Sequence, residues 1–286
     1  MSHEHTPDVD WAEVVGDLQR SADVWRPVTE QVMAWLGVTV GDRATDVGCG
    51  AGGMTAVLAG AVGPSGNVVA VDGEPALLDA TLERCRQLGY DDRVTTLHHD
   101  LTTGMPELNR LQDLVWASAV VHHLPDQQAA IAALSGLLID GGRLALSEGG
   151  LRTVTLPWDV GIGEPGLEAR LHAAEEAWFV RMRASIPGST RAPYGWPTLL
   201  RNAGLTDVQT RSFLLDRPSP IPAHVAGYVI GSLRHRVERA EDSLDPSDVA
   251  AWKRLLNPDD DAAYLGGRDD LFCLAAITVH VGVMRV

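Results

Sequence analysis

Between Arg43 and Gly150 the apolar residues alternate between two patterns. Short, nearly continuous runs rich in β-branched residues occur at Arg43 to Val47, "NVVAVD", "RVTTLHHDL", "QDLVWASA" and "RLALSEG", the pattern of strands buried on both faces. The intervening stretches have helical period. "MTAVLAGAV" stops at Gly63-Pro64, "EPALLDATLERCRQLG" carries Pro75 in its first turn and Gly89 beyond its end, and "PDQQAAIAALSGLLIDGG" is closed by Gly141-Gly142. Strands alternating with helices predict β-α units and a parallel, doubly wound sheet. Upstream lie two helical stretches, "WAEVVGDLQ" and "PVTEQVMAWLGV", the second with Val28, Val32, Trp35 and Leu36 on one face. After Gly150 the alternation stops. "GLEARLHAAEEAWFVRMRAS" is an amphipathic helix with Leu167, Leu171, Ala174, Trp178 and Met182 on one side, "WPTLLRNAG" a further helix and "LTDVQTRSFLL" a sixth strand. Two more helices fill 221–256, and "LFCLAAITVHVGV" is a last, long strand.

Composition narrows the setting. The chain is 45% hydrophobic, enough for a sizeable core. No apolar run reaches the ~18 residues of a membrane span, and "MSHEHTPDVDW" lacks the basic-then-apolar order of a signal peptide. Cys49, Cys85 and Cys273 are scattered, so a soluble protein of a reducing, cytoplasmic compartment is expected. A formal charge of −15 argues against nucleic acid or anionic membrane as partner. Lys253 is the single lysine among 23 basic residues, a bias of GC-rich, bacterial genomes that carries no mechanism.

The candidate chemistry begins at "TDVGCGAGG". Gly48, Gly50 and Gly53 spell the G-x-G-x-x-G of dinucleotide sites, while Asp46, Gly48, Gly50 and Gly52 spell D-x-G-x-G-x-G. Either way the glycines permit a tight strand-to-helix turn and close approach of a ligand to the backbone. Asp72, ending the second strand, is placed to take ribose hydroxyls of any adenosine cofactor. Asp46 separates the two readings: a carboxylate beside the turn would repel a pyrophosphate and favour a ligand carrying an ammonium and a sulfonium. Asp100 in "HHDL" is placed to accept from an adenine amino group.

The runs "ATDVGCGAGGMTAVLA", "VVAVDG", "HHDLTTGMP", "LVWASAVVHHLPD" and "LLIDGGRLALSEGG" together resemble the class I S-adenosylmethionine-dependent methyltransferases, particularly the small-molecule group that includes ubiquinone and natural-product enzymes. The resemblance covers about Arg43 to Gly149 and, more loosely, "YGWPTLLRNAGLTDVQ". It implies an α/β, Rossmann-like seven-stranded sheet with helices on both faces, N-terminal helices and helical cap insertions. Residues 1–42 would lie over the cofactor site. Residues 43–286 would form the methyltransferase domain; the insertions 151–194 and 221–270 match nothing in the family, and the first reads as a lid from its own aromatic residues, the second as a helical insertion. By the same resemblance the backbone of Gly48, Cys49, Gly50 and Gly52 approaches the methionine part, with Asp46 helping through its amino group. Asp72, Gly73 and Glu74 would hold the ribose side, Asp100 and the Leu101 amide the adenine, and Ala117 and Ser118 would lie near the sulfonium.

Methyl transfer needs a nucleophile held in line with water excluded, and a base only where the acceptor must lose a proton. His122 and His123 in "VVHHLPD" are the candidate bases; the alternative is that they seat the next helix, for which Asp126 is the cap. Glu148, Trp158, Trp178, Tyr194 and Trp196 are candidate substrate contacts, and Arg181 and Arg183 are either carboxylate-binding or ordinary surface arginines. The helix "HVAGYVIGSLRHRVERA" either completes the pocket or forms a homodimer contact. Adjacent strand histidines, His98-His99 among them, point to opposite faces, so no metal is expected. The expected activity is O-methylation of a small molecule in secondary or quinone-type metabolism, with N- or C-methylation open. The alternatives are a cofactor-binding relative catalysing another reaction, such as cyclisation, and an NAD(P)-dependent oxidoreductase.

Overall fold

The computed structural model describes residues 10–285; most of the segment read for a leader lies outside them. The seven strands β1 (Arg43–Val47), β2 (Asn67–Asp72), β3 (Val94–His98), β4 (Gln112–Ser118), β5 (Leu138–Val154), β6 (Thr206–Arg217) and β7 (Cys273–Val283) form one sheet. Their order is β3-β2-β1-β4-β5-β7-β6. The pairs β1–β2, β1–β4, β2–β3 and β4–β5 are parallel, and β7 runs antiparallel to both β5 and β6. An all-parallel dinucleotide fold has its sixth strand directly beside the fifth; here an antiparallel strand separates them.

The side-chain alternation of the strands divides the core between two faces. Leu114 and Trp116 of β4 and Ala145 of β5 join a cluster with α1 (Trp11–Leu36), α2 (Gly53–Val62), α3 (Pro75–Gln87), α5 (Leu167–Ser185), α7 (Ala223–Ala240) and α8 (Pro246–Leu255). Val115, Ala117, Leu144 and Leu146 face α4 (Gln127–Ser135) and α6 (Trp196–Asn202).

Three elements differ from expectation. The two upstream stretches are one helix of 26 residues, α1, running through Pro27. Pro27 is exposed, while Val24, Val28, Val32 and Leu36 recur every fourth residue on the buried face, so packing outweighs the ~3 kcal/mol penalty of an interior proline. Helix α4 stops at Gly136, well before Gly141-Gly142, because Leu138 pairs with Gln112 and starts β5. Strand β5 continues past Gly150, held there by Leu151 opposite Ala276 and Val154 opposite Leu274.

Candidate active site

The glycine turn is built from main-chain conformations that side chains resist. Gly48, Gly50 and Gly52 have φ of 71°, 55° and 78°, in the left-handed region where a Cβ is strained. A Cβ on Gly48 would meet Val120 Cγ2 at 2.3 Å, and one on Gly52 would meet the Thr81 Cα at 2.8 Å. Gly53, the third glycine of the dinucleotide fingerprint, serves another purpose: a Cβ there would meet the Ala22 Cβ at 2.6 Å. It is where α1 crosses α2. The Gly48 and Cys49 N–H groups both donate to Val71 O, at 2.8 and 3.0 Å, tying the turn to β2.

Asp72 braces this turn from the neighbouring strand. Its Oδ2 accepts from Gly50 N–H at 2.9 Å and its Oδ1 from Glu74 N–H at 3.1 Å. A carboxylate has about four acceptor positions, so two remain for a diol. Asp46 is 2% exposed on β1 and accepts from Thr55 Oγ1 at 2.6 Å. Burial, with the nearby charge of Asp72 adding to it, pushes its carboxyl up to about 7. Cys49 is buried and its thiol pKa is raised, first by burial and then by Asp46, so it is inert packing beside Thr81.

Beyond β3, Asp100 Oδ1 accepts from Thr102 N–H at 2.9 Å and Thr102 Oγ1 at 2.7 Å. These bonds cap a short 3₁₀ turn, Leu101–Thr103, and hold the carboxyl below its usual range. The side chains of His98 and His99 go to different carbonyls, Gly73 O and Gly104 O. Strand β4 ends with Ala117 buried and Ser118 half-buried. Ala119 follows at φ 54°, a left-handed conformation for a non-glycine residue, with its N–H on Ser147 O at 3.1 Å. Strain of this kind collects where a fold must aim a side chain.

What it aims is the 3₁₀ turn Val121–His123. Glu148, 4% exposed on β5, accepts from the N–H groups of Val120 and Val121 at 3.0 and 2.8 Å through Oε1. Its Oε2 lies 2.7 Å from His122 Nδ1. A carboxylate only accepts, so Nδ1 carries the proton and Nε2 keeps its lone pair. Glu148, expected to touch substrate, is instead turned inward beneath His122. The His122 ring sits 4.1 Å from His123 and 5.5 Å from Phe179, centroid to centroid. Partial desolvation, then the charge of His122, lowers the His123 pKa. Asp126 caps α4 through Ala129 N–H at 2.9 Å.

Of the other expected substrate contacts, Trp178 is half-buried under the Arg239 guanidinium, 4.6 Å from its centroid. Trp158 and Tyr194 are 76% and 60% exposed. Trp196 packs into the α4–α6 core on the other face of the sheet, so proximity in sequence to the lid did not place it in the lid. Arg183 donates to the carbonyls of His122 and Leu124, both at 2.7 Å, and Arg181 to Ser243 Oγ. Arg183 fastens α5 to the histidine turn, and Arg181 reaches away from it to Ser243. Sequence reasoning missed Arg239; only its place one helical turn beyond His235 on the face of Arg236 hinted at a role.

These residues fit a donor with an adenosine ribose and a cationic methionine end. The turn excludes side chains at Gly48 and Gly52 and leaves Gly50 open, with only Leu18 Cδ1 at 3.8 Å from the position of a Cβ; Asp72 retains acceptor capacity, and Asp46 is a buried carboxyl that a neighbouring cation would ionise.

Residues 44–142 match a family model described as "Methyltransferase domain". The chain is 32% identical over 157 residues to trans-aconitate 2-methyltransferase of Methylobacterium radiotolerans, over 51% of this chain and 56% of that protein. It is 33% identical over 125 residues to 27-O-demethylrifamycin SV methyltransferase of Amycolatopsis mediterranei, over 42% and 43% respectively. It thus spans about half the length of the curated relatives it matches. The YcgJ protein of Bacillus subtilis shares the fold, with a TM-score of 0.51 at 15% identity over 90% of this chain and 98% of that one. The matched segment begins at Ala44 inside β1 and ends at Gly142 inside β5, and so takes in the glycine turn, Asp72, Asp100 and the histidine turn: these are the residues that are similar to a methyltransferase domain.

Proposed function

We propose that this protein methylates an oxygen of a small-molecule acceptor, with His122 as the base. The relatives named above are small-molecule methyltransferases by name, which supports the acceptor class. The observation that carries the reading is the 2.7 Å bond between Glu148 and His122 at the C-terminal end of the sheet. The histidine turn follows Val120, whose side chain packs directly over Gly48, so the base stands beside the cofactor cradle.

Gly48, Gly50 and Gly52 would hold the methionine portion, Asp46 its ammonium, Asp72 the ribose and Asp100 the adenine. When bound, S-adenosylmethionine supplies a methyl group already activated by the sulfonium. The protein's own part is position and proton removal. His122 Nε2 accepts the hydroxyl proton of the acceptor as oxygen attacks, and Glu148 stabilises the resulting imidazolium and fixes its orientation. Arg183 holds the turn against α5, and the Phe179 ring shields the imidazole from water.

Calorimetric titration with S-adenosylhomocysteine and separately with NADH, on wild type and Asp72→Ala, tests the cofactor. Micromolar binding of the first, weakened at least about tenfold in the variant, is expected. Saturation by NADH instead would sink the reading. Transfer of labelled methyl to candidate hydroxyl acceptors, lost in His122→Gln with cofactor binding retained, tests the base.

A further inference from the structure

Arg239, near the end of α7, is an arginine with donors to spare. Its guanidinium lies over Trp178, and one N–H donates to Glu175 Oε1 at 3.1 Å. That carboxylate is already engaged. Arg236 donates to both Glu175 oxygens at 3.0 to 3.2 Å and to Glu168 Oε1 at 3.1 Å, and Arg152 stands 3.8 Å from Glu175 Oε2. Glu168 is further occupied by the Thr155 and Leu156 N–H groups and the Thr155 hydroxyl. A guanidinium has five N–H donors, and among the described residues Glu175 is the acceptor that Arg239 finds.

Arg239 lines a cavity of about 220 Å³ between α1 and α7, together with Leu18, Ser21, Tyr228, Ser232 and Arg236. The one carboxylate on its wall, Asp17, is taken by Arg20 and His235. The Tyr228 hydroxyl is fixed by Trp25 Nε1–H at 2.9 Å. The cavity adjoins the cofactor cradle: Leu18 Cδ1 is 3.8 Å from the position of a Cβ on Gly50. From Arg239 a run of ring contacts leads towards the base. From Arg239 to Trp178 is 4.6 Å, from Trp178 to Phe179 6.5 Å, and from Phe179 to His122 5.5 Å. Neither aromatic ring belongs to the packed core; both are half-buried. The volume is below the ~300–1,000 Å³ of sites that enclose drug-sized ligands, which fits one acid-bearing end of an acceptor.

Resting on the methyl-transfer reading, we infer that the acceptor is a planar hydroxy acid whose carboxylate is gripped by Arg239 while its hydroxyl is presented to His122. A chain of formal charge −15 repels anions in general, so an acidic acceptor needs a local cation of this kind. The planar guanidinium fork is matched to a carboxylate, and stacking on Trp178 keeps it in place without consuming its donors.

The test uses the full chain loaded with S-adenosylhomocysteine, titrated calorimetrically with a hydroxynaphthoate and with the corresponding hydroxynaphthamide, which differ in charge at one group. The acid is expected to bind about tenfold or more tightly than the amide. Arg239→Met should erase that preference, Arg239→Lys should keep part of it, and Arg181→Met should leave it intact. The acid–amide comparison on the wild type stands even if Arg239→Met fails to fold. Equal binding of acid and amide, no binding of either, or a preference that survives Arg239→Met overturns the inference. Failure to bind S-adenosylhomocysteine in the same cell would instead remove the methyl-transfer reading beneath it.

Discussion

Asp46 is buried with a pKa of about 7 against an ordinary 3.8, so the folded apo-protein holds a proton there that the unfolded chain has released. Between those two values the folded state binds more protons, and stability therefore falls as pH rises from about 4 to about 7 and is flat above. Asp46→Asn removes the burden: the apo-variant is expected to melt higher than wild type at pH 8, with the gap closing towards pH 4, in parallel thermal scans. Binding has the opposite sign. A cationic ligand prefers ionised Asp46, so affinity for S-adenosylhomocysteine should climb with pH up to about 7, with a proton released on binding that calorimetry in buffers of different ionisation enthalpy would count. The same affinity slope in Asp46→Asn would contradict this account. At Glu148 the useful substitution is Gln. Its amide oxygen can still accept from Val120 and Val121, but its NH₂ would donate to His122 Nδ1 and move the imidazole proton to Nε2, where it blocks the base. We expect Glu148→Gln to lose about 10²-fold or more in kcat with S-adenosylhomocysteine affinity unchanged. Asp46 and His122 each stand in a short motif that marks them in the sequence, whereas nothing local says that a side chain at a strand end, such as Glu148, faces inward.

At the scale of elements, the glycine turn and the α5–α7 pair make different demands. Gly52→Ala puts a Cβ 2.8 Å from the Thr81 Cα at φ 78°, so the strain of about 1–3 kcal/mol comes with displacement of α3 from the cradle. Gly89 has a similar φ, 73°, and nothing within 4 Å; Gly89→Ala should cost about 1–2 kcal/mol and leave cofactor affinity alone. Urea unfolding and titration of the two variants separate a turn that holds a ligand from one that merely ends a helix. Arg236→Met leaves Glu168 and Glu175 buried with their main partner gone, and should cost about 3–5 kcal/mol in the same unfolding experiment. Helix α5 could be drawn from its apolar period, yet its buried residues include Glu168 and Glu175, which periodicity assigns to water. Their partner Arg236 lies 61 residues beyond Glu175, and pairing over that distance leaves no local mark. Trp196 was misassigned for the converse reason: it follows the lid in the chain but its helix packs beside α4.

For the whole molecule, the parallel half was readable because each β-α unit buries its own apolar run against the next, while the position of β7 between β5 and β6 depends on pairing between distant segments, such as Leu144 with Gly282 and Gln209 with Val281. That late half carries the α7 wall of the proposed acceptor cavity, whereas the cofactor cradle lies in the early half. Leu18 Cδ1 of α1 lies 3.8 Å from where a Cβ on Gly50 would be, and Trp25 bonds to Tyr228 of α7, so α1 runs beside the one and holds the other. A ligand in the cradle should therefore steady α1 and α7 before it affects α8, whose buried Trp252 and Leu255 sit in the helical insertion. S-adenosylhomocysteine at a hundredfold its Kd adds about 2.7 kcal/mol, which for a chain of this size raises Tm by roughly 4–5 °C. Amide exchange should slow in the glycine turn and along α1 and α7, and remain as it was in α8. Protection confined to the turn would mean that the Trp25–Tyr228 contact does not couple the halves. Protection of the same pattern that is lost in Tyr228→Phe, with calorimetric affinity nearly unchanged, would show that this hydrogen bond carries the coupling.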